Sequence, residues 1–418
     1  MAGGYKNGEG NKLLNTSLVA NDMLARFKNN LVLTKGVYRD LESQFGEIGD
    51  TITVKLPNHV IVNDGRISTK TTPMNDKGVS LVINQQKNVK FNWTMKDRKL
   101  SINDFGTRYL EPASNRLANE VDISVAEEMT LAYTRFGRIG EPLSHNDITM
   151  GNAFARDIAI PSDTMCRIIT NTIDAANITN EIKSVYNDKM VADAIRKGYL
   201  GQIEGFDRYF SQNLVSHTVG KHTGNEQVDA ELSDGNLLTI KNSQVGALVK
   251  GDRFTIAGVR EINPITKRVT GRLQTFTVVS DGGLAGATGT ITISPRINDG
   301  TGVIQDKAGT TLTAEMDKTV DGKALANAAI TVLGDAEGTY RENYIMHRDS
   351  IAMAMVFLDL PDEAHGSIAH DKQTGLKLNV ARAFDLDKHE SALRMDVVYG
   401  VKMVRPDLIL RAMCQKIG

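Results

Sequence analysis

The stretch that decides the fold is Glu111–Phe136, EPASNRLANEVDISVAEEMTLAYTRF. Pro112 suits the first turn of a helix, where its missing N–H costs nothing, and no Gly or Pro follows it before Phe136. Leu117, Val121, Val125, Met129 and Ala132 recur at helical spacing along one face, while Glu120, Asp122, Glu127 and Glu128 fall elsewhere. The spacing predicts a single helix ending near Phe136. Roughly 24 residues at about 1.5 Å each make a rod about 36 Å long, about twice the average helix. A helix of that length organises whatever is built around it.

Upstream the pattern changes to period two. Ile52, Val54 and Leu56 alternate with Thr51, Thr53 and Lys55, and Val60 and Val62 resume after Pro57. Asp64-Gly65 is a turn signal, and Pro73 to Gly78 is a second break. Val79, Leu81 and Ile83 then alternate, followed by Val89, Phe91, Trp93 and Met95. These residues predict an extended hairpin over residues 46–98, two long strand sets around a polar centre. An isolated hairpin is marginal in water, so one this long is expected to lie on another surface, its own domain's or a partner's. Before it, residues 1–15 are rich in Gly, Asn and Lys. Leu18, Val19, Met23, Leu24 and Phe27 predict a helix over Thr16–Phe27, and Leu31, Val32 and Leu33 form a short apolar run. That segment either packs on its own subunit or docks on a neighbour.

Downstream, residues 137–220 read as mixed α+β, with helices predicted over Asn152–Ile158, Met165–Ala175 and Asn187–Lys197. Composition then shifts, and residues 224–322 are rich in Gly, Thr, Asp and Val. Short strands are predicted at Leu237–Ile240, Arg253–Val259, Leu273–Val279 and Thr290–Ser294. Turn signals at Ser233-Asp234-Gly235-Asn236, Asn263-Pro264, Asp281-Gly282-Gly283 and Asn298-Asp299-Gly300 separate them. That spacing predicts a small closed barrel or sandwich. About 100 residues suffice for an independent core, so the segment reads as an inserted domain. A helix is predicted over Lys323–Leu333, then strands over Ser350–Leu360, Leu376–Phe384 and Ala392–Val404. Pairing of these with elements before the insertion would make the main body discontinuous in sequence.

Bulk composition narrows the function. Hydrophobic content of 41% and charged content of 24% are ordinary for a globular protein. Lys+Arg 49 against Asp+Glu 50 leaves a net charge of -1, which argues against a general polyanion binder and leaves little repulsion between copies. Cys166 and Cys414 are too few for a disulfide framework and read as partly buried free thiols, in keeping with a reducing compartment such as a bacterial cytoplasm. The start, MAGGYKNGEGNK, has no apolar signal region. No apolar run approaches the roughly 20 residues that span a bilayer, so no membrane partner is expected.

No catalytic constellation appears. Gly282-Gly283…Gly286…Gly289 lacks the Lys-Ser/Thr of a phosphate loop and the spacing of a dinucleotide fingerprint. His217 and His222 lie five apart without the Cys or carboxylate ligands that zinc sites add. Asp362, Glu363, His365, His370 and Asp371 form a denser polar group that could mimic an acid–base or metal site, but a solvated loop collects such residues anyway. The chain is therefore expected to be no enzyme, with no catalytic residues, cofactor or metal. Trp93 reads as a strand-face packing residue, and the C-terminal methionines, Met346 to Met413, as adaptable core.

The chain resembles the major coat proteins of short-tailed bacteriophages of the Salmonella P22 type. The matching stretches are Asn29-Asn30-Leu31-Val32-Leu33-Thr34, Gly49-Asp50-Thr51-Ile52-Thr53, Leu100-Ser101-Ile102-Asn103-Asp104-Phe105 with Arg108-Tyr109, and Leu117-Ala118-Asn119-Glu120-Val121-Asp122. Gly205-Phe206-Asp207 with Ser211-Gln212-Asn213, Phe254 to Val259 with Asn263-Pro264, and Ile293-Ser294-Pro295 follow. Arg394-Met395-Asp396-Val397 with Tyr399-Gly400 and Arg405-Pro406 complete the set. Their order is the specific signal; the Gly-rich start and residues 139–195 match poorly.

The resemblance implies an α+β tailed-phage major capsid (HK97-like) fold with a long spine helix, an extended β-hairpin loop and an inserted small β-barrel domain. It implies an N-terminal arm at 1–45, the extended loop at 46–98, a peripheral domain with spine helix at 99–138, and an axial domain beginning at 139–223. The inserted domain follows at 224–322, then axial and peripheral strands at 323–418. The implied function is self-assembly into the icosahedral shell of a double-stranded DNA phage, built in the host cytoplasm and ending in the virion; another fibre-like structural virion protein is the alternative. The implied partners are the protein itself in pentamers and hexamers, a scaffolding protein, a portal protein, packaged double-stranded DNA bound without sequence specificity, and a decoration protein. Leu31, Val32, Leu33, Asp64, Gly65 and Arg66 are the candidate intersubunit contacts.

Overall fold

The computed structural model describes residues 16–40, 49, 51–57, 66, 78–94, 106–161, 163, 165–182, 202–203, 205–280, 287–301, 303–305, 311–313, 318–358, 365–371, 376–385 and 390–417. The Gly-rich start, the helix expected at Asn187–Lys197, the Asp281-Gly282-Gly283 turn, Asp362 and Glu363, and the centre of the hairpin apart from Arg66 lie outside the described residues. The chain divides into two units. The first comprises Met1–Val54, Ser80–Val125 and Ala352–Lys402; the second comprises Lys55–Val79, Ala126–Ile351 and Met403–Gly418.

In the first unit, helix α1 (Thr16–Asn30) buries Val19, Ala20, Met23, Leu24 and Phe27. That stripe follows the helical period and packs on the strands His365–Asp371 and Leu376–Asp385. These two belong to a five-stranded sheet ordered Ile351–Val356, Glu390–Met403, Leu376–Asp385, His365–Asp371, with Gln85–Thr94 also paired to Glu390–Met403. The pairing of Gln85–Thr94 departs from the sequence expectation of one long hairpin. Thr51–Lys55 does pair with Gly78–Val82, but Gln85–Thr94 runs antiparallel along Glu390–Tyr399, from Thr94 opposite Glu390 to Gln85 opposite Tyr399. An antiparallel ladder with buried Leu393, Met395 and Val397 on its central strand offers more than a solvated ribbon could. Gly400 fits where it does because the Val82 carbonyl presses on it: a Cβ there would lie 2.3 Å from that oxygen.

The predicted long helix is α2 (Glu111–Met129, 19 residues), entered through a π turn at Gly106–Leu110. It stops short of Phe136. Thr130 turns its hydroxyl onto the Glu127 carbonyl at 2.7 Å, and Thr134–Arg135 becomes a short strand parallel to Leu410–Arg411. The β-branched and aromatic residues Thr130, Tyr133 and Thr134 favour that exit.

The second unit holds a mixed sheet ordered Thr134–Arg135, Ile409–Ile417, Thr339–His347, Cys166–Thr170, Phe206–Phe210, Gln202–Ile203. Side chains alternate across it. Ile168, Ile345, Leu410 and Ala412 join a core with Ile148 and Ala155 of helix α3 (His145–Asp157) and Ile178 of helix α4 (Thr172–Ile182). Ser144 and Asp147 close a capping box at the start of α3. Here too the sequence expectation is corrected: the helix predicted over Met165–Ala175 is the strand Cys166–Thr170 followed by α4. Asn171 separates the two, its Oδ1 accepting from the Ile173 and Asp174 N–H groups.

A second sheet in this unit runs Val320–Asp321, Arg253–Ile262, Val269–Ser280, Thr288–Asn298, Asp234–Lys241, Gln227–Val228. The four predicted strands are all present. Ser233-Asp234-Gly235-Asn236 is no turn; it enters the strand Asp234–Lys241 through a bulge at Gly235. Ile330–Val332 pairs with Phe254–Ile256, and Gln227 bridges Ala329, so the sheet closes on itself. This replaces the helix expected over Lys323–Leu333. Alanine-rich composition suggests a helix, but Ala324 exchanges both backbone bonds with Leu232, Asn327 sits at φ +66°, and Ile330 donates to the Glu226 carbonyl. Closure of the sheet overrides local propensity.

Candidate functional site: two buried polar junctions

The first junction is built from α2. Asp122 is 0% exposed, and its carboxylate faces the chain just after α1. Oδ2 accepts from the N–H groups of Val32 at 2.8 Å and Leu33 at 3.2 Å. Oδ1 accepts from the Thr34 N–H at 3.0 Å and the Thr34 hydroxyl at 2.6 Å. Three successive N–H groups converging on one anion form a nest, and they open the short helical turn Thr34–Gly36. Tyr38 then bridges Ala352, whose neighbour Met353 donates to the Tyr38 carbonyl at 2.9 Å. The segment after α1 is thus fixed at two successive points. On α2 itself, the Ser124 hydroxyl lies 2.8 Å from that of Tyr399.

The second junction joins the closed sheet to the mixed sheet. Arg411 and Glu342 lie on the face opposite Leu410 and Ala412, and both are 0% exposed. Arg411 Nε and Nη2 hold the two Glu342 oxygens at 2.7 and 2.8 Å, a bidentate pair. Arg411 Nη1 donates to the carbonyls of Gly251, at 2.7 Å, and Thr130. Arg253, at the head of its strand in the closed sheet, returns a bond from Nη1 to the Arg411 carbonyl at 2.7 Å. Burial alone would weaken the proton on Arg411, but the charge and hydrogen bonds of Glu342 outweigh it and hold that proton more tightly than usual. For Arg253, burial and then the neighbouring Arg411 charge pull the other way.

Neighbouring contacts brace the same seam. Asp252 accepts from His217 Nε2 at 2.7 Å, Val249 N–H at 2.8 Å and Gly220 N–H at 3.0 Å. Arg272 is held by Glu261 and stands 4.2 Å over the Phe154 ring of α3. Thr277 donates to the Ala132 carbonyl at 3.1 Å. Asp122, Arg411 and Glu342 spend their charges on the protein's own backbone and side chains, so their chemistry is mechanical: they fix separate stretches of chain to one another.

The predicted contact residues divide. Leu31 and Leu33 are buried, Val32 keeps part of its surface, and Arg66 is exposed in a bend. Asp64 and Gly65 lie outside the described residues. His217 serves Asp252, His222 Nε2 lies 3.1 Å from the Gly334 carbonyl, and Cys166 and Cys414 are both free and buried. Sequence reasoning missed Asp122, Arg411, Glu342 and Arg253. A signal existed for two of them. Asp122 sits four residues after Ala118 and three before Val125, inside a second apolar stripe of α2, and Arg411 interrupts the apolar run Leu408 to Cys414. A lone charge in such a place implies a buried partner.

The sequence model of the P22 coat protein family (gene protein 5) matches residues 10–413. Among solved structures, the chain is similar to one from Mycobacterium phage Che8, at 14% identity and TM-score 0.44, covering 91% of this chain and 90% of that one. It is similar to the capsid of Ralstonia phage GP4 at 9% identity and TM-score 0.43, covering 94% and 92%. A shorter likeness is to the CUS-3 coat protein I-domain, at 29% identity and TM-score 0.19, covering 27% of this chain and 98% of that one. No curated protein matches.

Proposed function

Because this chain belongs to the P22 coat protein family and is a phage major capsid protein, the subunit of an icosahedral shell, we propose that its two-stranded ribbon and N-terminal segment reach across to neighbouring copies and lock them. One observation carries the reading. In the ribbon formed by Thr51–Lys55 and Gly78–Val82, each strand buries a single residue, Val54 and Leu81, while Val82 is 38% exposed. A two-stranded ribbon with so little cover is marginal in water; a neighbouring subunit supplies the missing surface. Val32, Asp64, Gly65 and Arg66 form the contacts, with buried Leu31 and Leu33 anchoring Val32 from beneath.

In this reading the overall fold is HK97-like, and the closed sheet is an inserted domain that stiffens the subunit through the Arg411 junction. Pentamers and hexamers reuse the same surfaces around symmetry axes, and individually weak contacts add through multivalency. The shell assembles around a scaffolding protein in the bacterial cytoplasm, with a portal at one vertex, and takes in double-stranded DNA without reading its sequence. A net charge of -1 suits that last role, since a strongly basic lining would hold the genome tightly.

Negative-stain microscopy of the purified, overexpressed chain tests the proposal. Closed particles are expected, and material that stays as single copies at high concentration, with its co-assembly factors supplied, overturns it. Deleting Asp64 to Thr72 should leave a folded subunit that forms no closed shells; particles of normal size and yield would remove the tip from the mechanism.

A further inference from the structure

Arg253 is 1% exposed, and among the described residues it bonds through Nη1 alone, to the Arg411 carbonyl at 2.7 Å. Among the described residues its Nε and Nη2 have no hydrogen-bond partner, and neither does the hydroxyl of Tyr344, which is 0% exposed. Tyr344 stands directly opposite Arg411 in the ladder between their strands. Two unsatisfied guanidinium nitrogens beside the Arg411 carbonyl and an unsatisfied hydroxyl opposite Arg411 in the ladder thus flank one residue.

The acceptors nearby are already engaged. Both oxygens of Glu342 are taken by Arg411. The Asp252 carboxylate is taken by His217, Gly220 and Val249. The Arg411 carbonyl receives Phe136 N–H as well as Arg253. Buried donors without an acceptor are costly, and a buried guanidinium more so. What is missing is an acceptor small enough to be enclosed by side chains that solvent does not reach. A water molecule could accept from these groups, but it would bring two hydrogens of its own to a place already rich in donors. An anion brings none, and it would sit against the guanidinium of Arg253, whose one hydrogen bond goes to a carbonyl and not to a carboxylate.

We propose that the junction binds a small monovalent anion of the halide class, enclosed by Arg253 Nε and Nη2 and the Tyr344 hydroxyl. The test is thermal unfolding of the purified full-length subunit at fixed ionic strength, with chloride or bromide replaced stepwise by gluconate. A saturable rise in melting temperature with halide is expected. Arg253→Met should abolish it, and Tyr344→Phe, which removes one donor and keeps the ring, should weaken the apparent halide affinity several-fold. Anomalous scattering from bromide beside Arg253 would place the ion directly. Identical melting in chloride and gluconate, or a halide response of equal size in Tyr344→Phe and the parent, overturns the proposal and leaves water as the occupant.

Discussion

Asp122 spends one carboxylate on four donors drawn from three consecutive residues. Asp122→Asn keeps the size but removes the charge and turns an amide N–H2 toward N–H groups. Hydrogen bonds to a charged group contribute about 1.5–3 kcal/mol each, net, and losses within one cluster do not add fully. A loss of about 2–4 kcal/mol in urea unfolding of the subunit is therefore expected, and an unchanged midpoint would show the nest to be incidental. The two thiols give a pH-dependent prediction. Burial, and then the Asp163 charge, push Cys166 up to about 11. Burial and the Asp174 charge push Cys414 well above the usual thiol range. Below about pH 8.5 both folded and unfolded chains carry the thiol. Above it the unfolded chain ionises first, so stability conferred by Cys166 is present at neutral pH and is lost as pH rises toward about 11. Unfolding followed between those limits should show that decline, and Cys166→Ala should make it shallower, leaving the share of Cys414.

At the scale of elements, Gly400 sits where the first unit's sheet leaves no room for a Cβ. Gly400→Ala would put a methyl group 2.3 Å from the Val82 carbonyl oxygen, a backbone atom, so one strand must move. A cost of about 1–3 kcal/mol is expected from such overpacking, read from the shift in melting temperature; tolerance without a shift would mean that the ribbon and strand are free to part. Elements were legible where local pattern and tertiary demand agree. The turns at Asn263-Pro264 and Asn298-Asp299-Gly300 bracket strands as expected, and α1 and α2 follow from their apolar stripes. Reading failed where partners lay far off in sequence. Gln85–Thr94 looks like half of a hairpin until Glu390–Tyr399 is placed beside it. Lys323–Leu333 looks helical until Phe254–Ile256 needs a neighbour. The partners at the junctions were illegible for the same reason: Arg411 meets Gly251 and Thr130 across 160 and 281 positions, and no local pattern encodes such a meeting.

At the scale of the molecule, the closed sheet has its own apolar interior, with Phe254, Phe276, Ile291 and Val320 fully buried. Its closing strand, Ile330–Val332, lies beyond the expected boundary at 322. A fragment of residues 224–333 should therefore melt cooperatively alone, while one ending at 322 should melt lower or without a sharp transition. Equal melting curves would mean that the ring gains nothing from closure. Within the whole chain, Arg411 follows every group it binds: Thr130, Gly251, Arg253 and Glu342 all precede it. A nascent polypeptide leaving the ribosome must carry those groups unmatched until the strand that holds Arg411 emerges. The order of synthesis thus withholds the last clasp, and a truncated translation product lacks the means to masquerade as a finished building block.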